Sequence, residues 1–250
     1  MAGRTQEPRL PAGLELAWGT APAPMRGPKP AHSIERIIAT ASEIADAEGF
    51  AALSLPKIAG RLGFTTNALY RYVRSKEELV VVLRDAAFGE PPDAVWAATG
   101  WRAAASAWAR AVVARYGVHP WLLDVPVRGA PTTPCVLRWL EALLQGMADS
   151  GLGGGDLLGC AGLLDGYAHS TAILARDLGA RSAPAVESAA VARFLQPLLR
   201  ERGFAMLDAI MATGAYATGP AEADFGLDRI LDGIEVYISS RLPAHGEPSD

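Results

Sequence analysis

The chain has 250 residues, 50% of them apolar and 20% charged, with a net charge of −4 and a mean hydropathy of +0.15. That balance excludes a disordered chain, and no apolar run approaches the roughly 18 residues of a membrane span. The start, MAGRTQEPRLPAG, lacks the continuous apolar stretch of a secretory signal, so the expectation is a cytosolic protein with no membrane partner, of two compact units more readily than one.

Residues 1–30 carry Pro8, Pro11, Pro22, Pro24, Pro28 and Pro30 with no sustained period, which predicts a flexible Pro-rich arm from which Leu14, Leu16 and Trp18 are free to dock. Ser33 is placed to cap a first helix, with Ile34, Ile37, Ile38, Ala41 and Ala45 on one face and Gly49 as its stop. Ser54 caps a short second helix with Pro56 in the first turn, apolar Ile58, Ala59 and Leu62, and Gly63 at the end. Thr65 caps a third whose inner face is Leu69, Tyr72 and Val73. Ser75 opens a fourth through a Ser-x-x-Glu capping box with Glu78, and Leu79, Val82, Leu83 and Ala86 continue it. Gly89, Pro91 and Pro92 break the pattern, so a domain of residues 31–90 is expected to give way to one of residues 91–250.

Beyond that boundary the helical period returns over about 100–116, 134–150, 155–178, 186–212 and 225–241, and strand alternation is absent. Loops are expected over 126–134, 151–155, 179–184 and 214–220, with a frayed tail after Pro243. The fold class is therefore all-α, a three-helix helix-turn-helix domain followed by a larger C-terminal helical bundle.

The segment Ser54–Val73 meets the physical needs of a helix-turn-helix. Ala59 permits close helix approach, Gly63 tolerates a left-handed turn, and Leu69 and Tyr72 pin the second helix. Thr65, Thr66, Asn67, Ala68 and Arg71 are left outward, suited to reading base edges in a major groove. Charge agrees. From Gly49 to Lys76 there is no Asp or Glu, whereas Lys57, Arg61, Arg71, Arg74 and Lys76 are basic. Residues 1–90 hold 11 basic and 10 acidic side chains, and residues 91–250 hold 12 and 17, so the acidity belongs to the second part. A plain helical hairpin would share the glycine and the apolar pattern but not the acid-free stretch.

These residues also carry a resemblance. LGFTTNALYRYVRSKEELV, after IIATASEIADAEGF, resembles the DNA-binding domain of the tetracycline-repressor (TetR) family over about residues 33–86. ADFGLDRILDGIEVYI resembles the closing helix of the tetracycline-repressor-like C-terminal domain. The resemblance implies that Thr66 and Asn67 approach bases, that Tyr70, Tyr72 and Lys76 meet phosphates or the groove edge, and that Ser54 presents the N-terminal amides of its helix to the DNA backbone. Thr65, Lys57 and Arg71 complete the expected surface. Ala68 departs from the Thr or Gly common in relatives, which leaves a thymine methyl contact at that position. Arg26 and Lys29, ahead of the first helix, admit two readings, an arm entering a minor groove or an idle leader.

For the second domain the resemblance implies a ligand-binding, dimerising bundle. Gly159, Gly162 and Gly166 form a small-residue stripe and Gly226 and Gly233 leave gaps on the last helix, fitting either a two-fold homodimer interface or close intrachain packing. Candidate ligand residues are Trp108, Arg138, Trp139, Met147, Asp165 and His169, since polar groups on apolar helices are costly if buried unpaired. His119, beside Pro120, is expected to cap or pack. Cys135 and Cys160 form no CxxC pair and read as packing residues, and no cofactor or metal is expected. No HExxH, GxSxG or GxGxxG pattern points to catalysis. The reading is a homodimeric repressor that binds a palindromic double-stranded operator and is released by a small-molecule effector. The alternatives are a small-molecule-binding or sequestering protein on the same fold and, last, a helical enzyme.

Overall fold

A computed structural model describes residues 10–20, 33–126, 129–180, 185–214 and 224–241. Arg26, Lys29, the loop residues 181–184 and 215–220, and the tail after Pro243 lie outside the described residues. The described chain is helical apart from turns and loops, as the period of its apolar residues requires. It divides into two compact units, one ending at Ala172 and the other beginning at Ile173.

The first unit opens with α1 (Leu14–Ala17), a single turn within the segment expected to be an arm. Next come α2 (Ile34–Glu48), α3 (Leu55–Leu62), α4 (Thr66–Leu69) and α5 (Lys76–Phe88). Ile37, Ile44, Ile58, Leu69, Val73, Leu79 and Leu83 are wholly buried between them. Burial of this kind, not local propensity, holds helices as short as α3 and α4. Ser33 occupies the N-cap position of α2 but makes no cap bond to the backbone. Its hydroxyl instead bonds the Glu35 carboxylate and holds that group below its ordinary range. On α5 the buried alanine is Ala87, while Ala86 faces out, because the inner face follows Leu79, Val82, Leu83 and Ala87.

The unit continues through α6 (Asp93–Trp96), α7 (Trp101–Val118), α8 (Pro134–Gly146) and the start of α9 (Gly154–Ala180). One-turn 3-10 helices at Pro120–Asp124 and Ala148–Ser150 join them. Helix α8 ends four residues before the expected 150, and Gly154 and Gly155 already belong to α9. Gly146 explains the closeness of α7 and α8, since a Cβ there would stand 2.5 Å from the Ala104 Cβ. Helix α5 packs against α2 on one side and α8 on the other, and no chain break separates the two sets of contacts.

In the second unit the stretch expected as one helix over 186–212 is two, α10 (Ala185–Glu201) and α11 (Ala205–Ala212). Gly203 at φ 78° makes the turn. The Phe204 N–H donates to the Leu199 carbonyl at 2.8 Å, and Arg200 grips Asp208 with two bonds of 3.2 Å. The final helix α12 (Phe225–Arg241) buries Leu227, Leu231, Ile234 and Ile238, which share one face at helical spacing. Among the described residues no helix is long and apolar enough to cross a membrane.

Candidate nucleic-acid interface and interior cavity

The turn between α3 and α4 is fixed by three local devices. The Ser54 Oγ accepts from the Lys57 N–H at 3.4 Å, and Thr65 Oγ1 accepts from the Ala68 N–H at 3.3 Å, each heading its own helix. Between them Gly63 adopts φ 74°, ψ 27°, which lets the Phe64 N–H return to the Ala59 carbonyl at 2.7 Å. Helix α4 is regular only over Thr66–Leu69 and runs on through Tyr70–Tyr72 as hydrogen-bonded turns. Buried Leu69 and Val73 anchor it, leaving Thr65, Asn67, Tyr70 and Arg71 exposed and Thr66 and Tyr72 half-buried. Tyr70 is 49% exposed, unusual for so large a ring.

The basic stretch is less bare than its sequence suggests. Lys57 pairs with Glu48, which also lies 3.9 Å from Arg61, and the Lys57 bond holds the Glu48 carboxyl below its ordinary range. Arg74 lies 3.8 Å from Glu15 of α1. Lys76 sits over the Phe50 ring, 5.5 Å from its centroid. Both acids lie outside the acid-free window and reach it only through the fold, so linear spacing could not reveal them.

Capping continues at α5. The Ser75 Oγ accepts from the Glu78 N–H at 3.1 Å, but the Glu78 carboxylate reaches back to the Arg74 N–H rather than to that of Ser75. The box expected from sequence therefore closes one residue earlier, tying the end of the recognition segment to α5.

On its other face α5 borders a cavity of about 1030 Å³, into which Lys76, Glu77, Val80, Val81, Arg84 and Phe88 project. The opposite walls come from Trp108 and Val112 of α7, Val136 and Trp139 of α8, and Leu158 and Asp165 of α9. The Trp108 indole donates to the Trp139 carbonyl at 2.7 Å and the Trp139 indole to the Gly89 carbonyl at 3.0 Å. With their polar edges satisfied, the rings offer the cavity apolar surface. Phe88 and Trp139 meet edge to face at 6.3 Å, and the Arg84 guanidinium lies 5.3 Å above the Phe88 ring. Burial pushes the Asp165 carboxyl above the ordinary range, against the pull of His169 and Arg84. Burial, then the Asp165 charge, pushes the Tyr116 phenol up to about 12. The space suits a large, mostly aromatic molecule with a few polar groups.

Of the expected ligand residues, Trp108, Trp139 and Asp165 line this cavity. Met147 is wholly buried in the core, Arg138 is exposed and paired with Glu90 at 3.1 Å, and the His169 Nδ1 lies 3.3 Å from the Tyr116 hydroxyl. These three are not liners. His119 does pack: its Nδ1 stands 2.8 Å from Asp46 Oδ1, which also accepts from the Trp121 indole at 2.6 Å. Sequence reading missed Arg84 and Phe88, though they continue the four-residue row Lys76, Val80, Arg84, Phe88 along one side of α5. It also missed the arm residues Pro11 and Ala12 in the wall, for which no periodic signal exists, whereas Leu14, expected to be free to dock, is in the wall beside them.

Comparison with known proteins places these features in company. The family model for bacterial regulatory proteins of the tetR family matches residues 37–83, and that for the tetracyclin repressor-like C-terminal domain matches residues 97–238. The HTH-type transcriptional repressor DrrR1 of Streptomyces coeruleorubidus is 34% identical over 241 residues, covering 91% of this chain and 86% of that protein. Apo ActR from Streptomyces coelicolor superposes with a TM-score of 0.67 at 21% identity, over 84% of this chain and 98% of its own. ActR in complex with actinorhodin gives 0.66 at 20% identity, over 84% and 96%.

Proposed function

The chain belongs to the tetR family of bacterial regulatory proteins and is a DNA-binding transcriptional repressor; on that footing we propose that it acts as a homodimer on a palindromic operator and is released by a small-molecule effector held in the cavity. The observation that carries this reading is the double duty of α5. Its buried face completes the helix-turn-helix core, while its opposite face lines about 1030 Å³ of open space. A ligand in that space acts directly on the helix to which the end of the recognition segment is tied.

The far end of α5 is joined to α8. Asp85, 6% exposed, accepts from the Cys135 and Val136 N–H groups at 2.9 and 3.2 Å through one carboxylate oxygen. It thus caps α8 from another helix, where Thr133 makes no cap bond of its own. Displacing α8 from within the cavity draws on α5 through this joint. Release follows if the effector binds the DNA-incompetent position of α5 more tightly than the competent one.

At the recognition surface the proposed contacts are Thr66 and Asn67 with bases, Tyr70, Tyr72, Arg71 and Lys76 with phosphates, and Ser54 and Lys57 beside the backbone. Dimerisation through α9 and α12 is supported by Gly159, Gly166 and Gly233, at which no atom from elsewhere among the described residues lies within 4 Å of a Cβ position, and by exposed Leu163; Gly162 and Leu158 of α9 line the cavity instead.

Footprinting on the DNA flanking the gene, with the protein at concentrations where sedimentation gives a dimer, is expected to protect two half-sites about one helical turn apart. Aromatic metabolites that raise the melting temperature are expected to abolish that footprint. A single protected half-site, or stabilising ligands that leave the footprint intact, would refute the reading.

A further inference from the structure

The segment ahead of the helix-turn-helix is built into the cavity wall. Gly13 is buried with φ +80°, and a Cβ there would stand 2.9 Å from the Glu78 carbonyl oxygen and 2.9 Å from the Val81 Cβ. Both the left-handed backbone and the close approach to α5 require glycine. On either side of it Pro11, Ala12 and Leu14 line the cavity, as do Ala130, Pro131 and Thr132. The Trp18 indole donates to the Thr132 carbonyl at 2.9 Å, clamping the segment to the loop that leads into α8. Glu15 meets Arg74, the residue after the buried anchor of the recognition segment, at 3.8 Å. One stretch of chain thus touches α5, the cavity loop and the recognition turn.

The attachment is light. Helix α1 has four residues, none of them buried, far too short to persist by itself. Trp18 is 51% exposed despite its hydrogen bond. Such a segment docks only while its partners hold it, and it detaches at small cost.

We propose that residues 10–20 form a strap that completes the effector site, contacting a large aromatic ligand through Ala12 and Leu14 and slowing its escape. The inference rests on the cavity reading above, but it assigns to the arm a role in ligand recognition rather than in the minor groove. Occupancy and strap docking then favour each other, since each supplies apolar surface to the other.

The test uses 1-anilinonaphthalene-8-sulfonate as an aromatic probe, its dissociation constant taken from titrations of its own directly excited fluorescence, on the full chain and four variants. Val80→Trp fills the cavity from α5, away from the strap, and is expected to reduce probe binding. Deletion of residues 1–20 and Trp18→Ala detach the strap, and each is expected to weaken the probe about fivefold, as loss of one partly buried apolar side chain implies. Leu14→Trp fills the cavity from the strap itself and is expected to weaken the probe while leaving the melting temperature near that of the native chain. If Val80→Trp weakens the probe and all three strap changes leave it unaltered, the strap is not part of the site and the proposal falls, with the cavity reading intact. If Val80→Trp has no effect, the probe does not sit in the cavity, and both readings fall.

Discussion

The helix-turn-helix and the cavity share α5, yet they are assembled in opposite ways. The recognition surface is one run of sequence, Ser54 to Lys76, shaped by caps and a glycine turn that act within a few residues. The cavity is gathered from α1, α5, α7, α8, α9 and the loop before α8. The first region is set by local rules and presents polar groups outward. The second is set by packing and presents aromatic faces inward. A local device is insensitive to distant change, whereas a gathered site feels the movement of every wall, which suits one region to reading DNA and the other to sensing.

The largest expected effect breaks the local region at its anchor. Leu69 is wholly buried, and Leu69→Ala is expected to cost about 2–5 kcal/mol of stability and to abolish operator binding. Thermal unfolding and a gel shift measure the two losses together. If binding survives with native affinity, the recognition segment is not held by this side chain.

The joint between the regions comes next. Asp85→Ala leaves two part-buried N–H groups of α8 without their acceptor, at a cost of about 1 kcal/mol, the low end for an unsatisfied donor. Asp85→Asn retains an acceptor oxygen and is expected to recover most of it. The distinguishing expectation is functional: Asp85→Ala keeps operator affinity in the absence of ligand but loses release by ligand. Equal release in native and Asp85→Ala proteins would show that cavity and recognition segment are not coupled through this joint.

Within the recognition surface smaller effects are expected to separate by kind. Asn67→Ala is expected to relax preference at one base pair, by about 1–3 kcal/mol for a bidentate contact. Lys76→Ala is expected to weaken all sequences alike and to lower the salt slope by about one. Because Lys76 sits over Phe50 and lines the cavity with it, the same substitution is expected to change ligand affinity as well. An unchanged salt slope would remove Lys76 from the phosphate contacts.

The same contrast explains what was legible in the sequence. Ser54, Gly63, Thr65 and Ser75 announce their roles because a cap or a left-handed turn needs a particular residue type at a particular place, and each stands where the spacing puts it. The span of α12 was legible as well, since its period runs over 225–241 within one helix. The Glu48–Lys57 and Glu15–Arg74 pairs were not, because charge windows are linear and ion pairs are spatial. Nor was the fate of Arg138, Met147 and His169. Helical spacing places a residue on a face but does not say whether that face meets a cavity, a core or solvent. The break at Gly203 was hidden because apolar residues continue on both sides of it.

The smallest effects expected are those of pH, and they carry opposite signs in the two regions. Glu48 has its folded pKa lowered by Lys57. Its pairing therefore contributes stability above the ordinary carboxylate value near about 4, and that contribution is lost as the pH falls through the lower folded value. Asp165 has its folded pKa raised by burial. The stability linked to its neutral form is full below about 4 and is lost as the pH rises through the higher folded value. Between pH 4 and 7 Glu48→Gln is therefore expected to melt below the native chain throughout, with the gap closing only under more acid conditions. Asp165→Asn is expected to match the native chain near pH 4 and to melt above it as the pH rises. Both groups reach solvent, so the shifts are small and paired melts at each pH are needed to resolve them. Parallel curves for Asp165→Asn and the native chain would mean that the cavity wall does not desolvate this carboxyl, and would remove the charge asymmetry between the recognition surface and the sensing site.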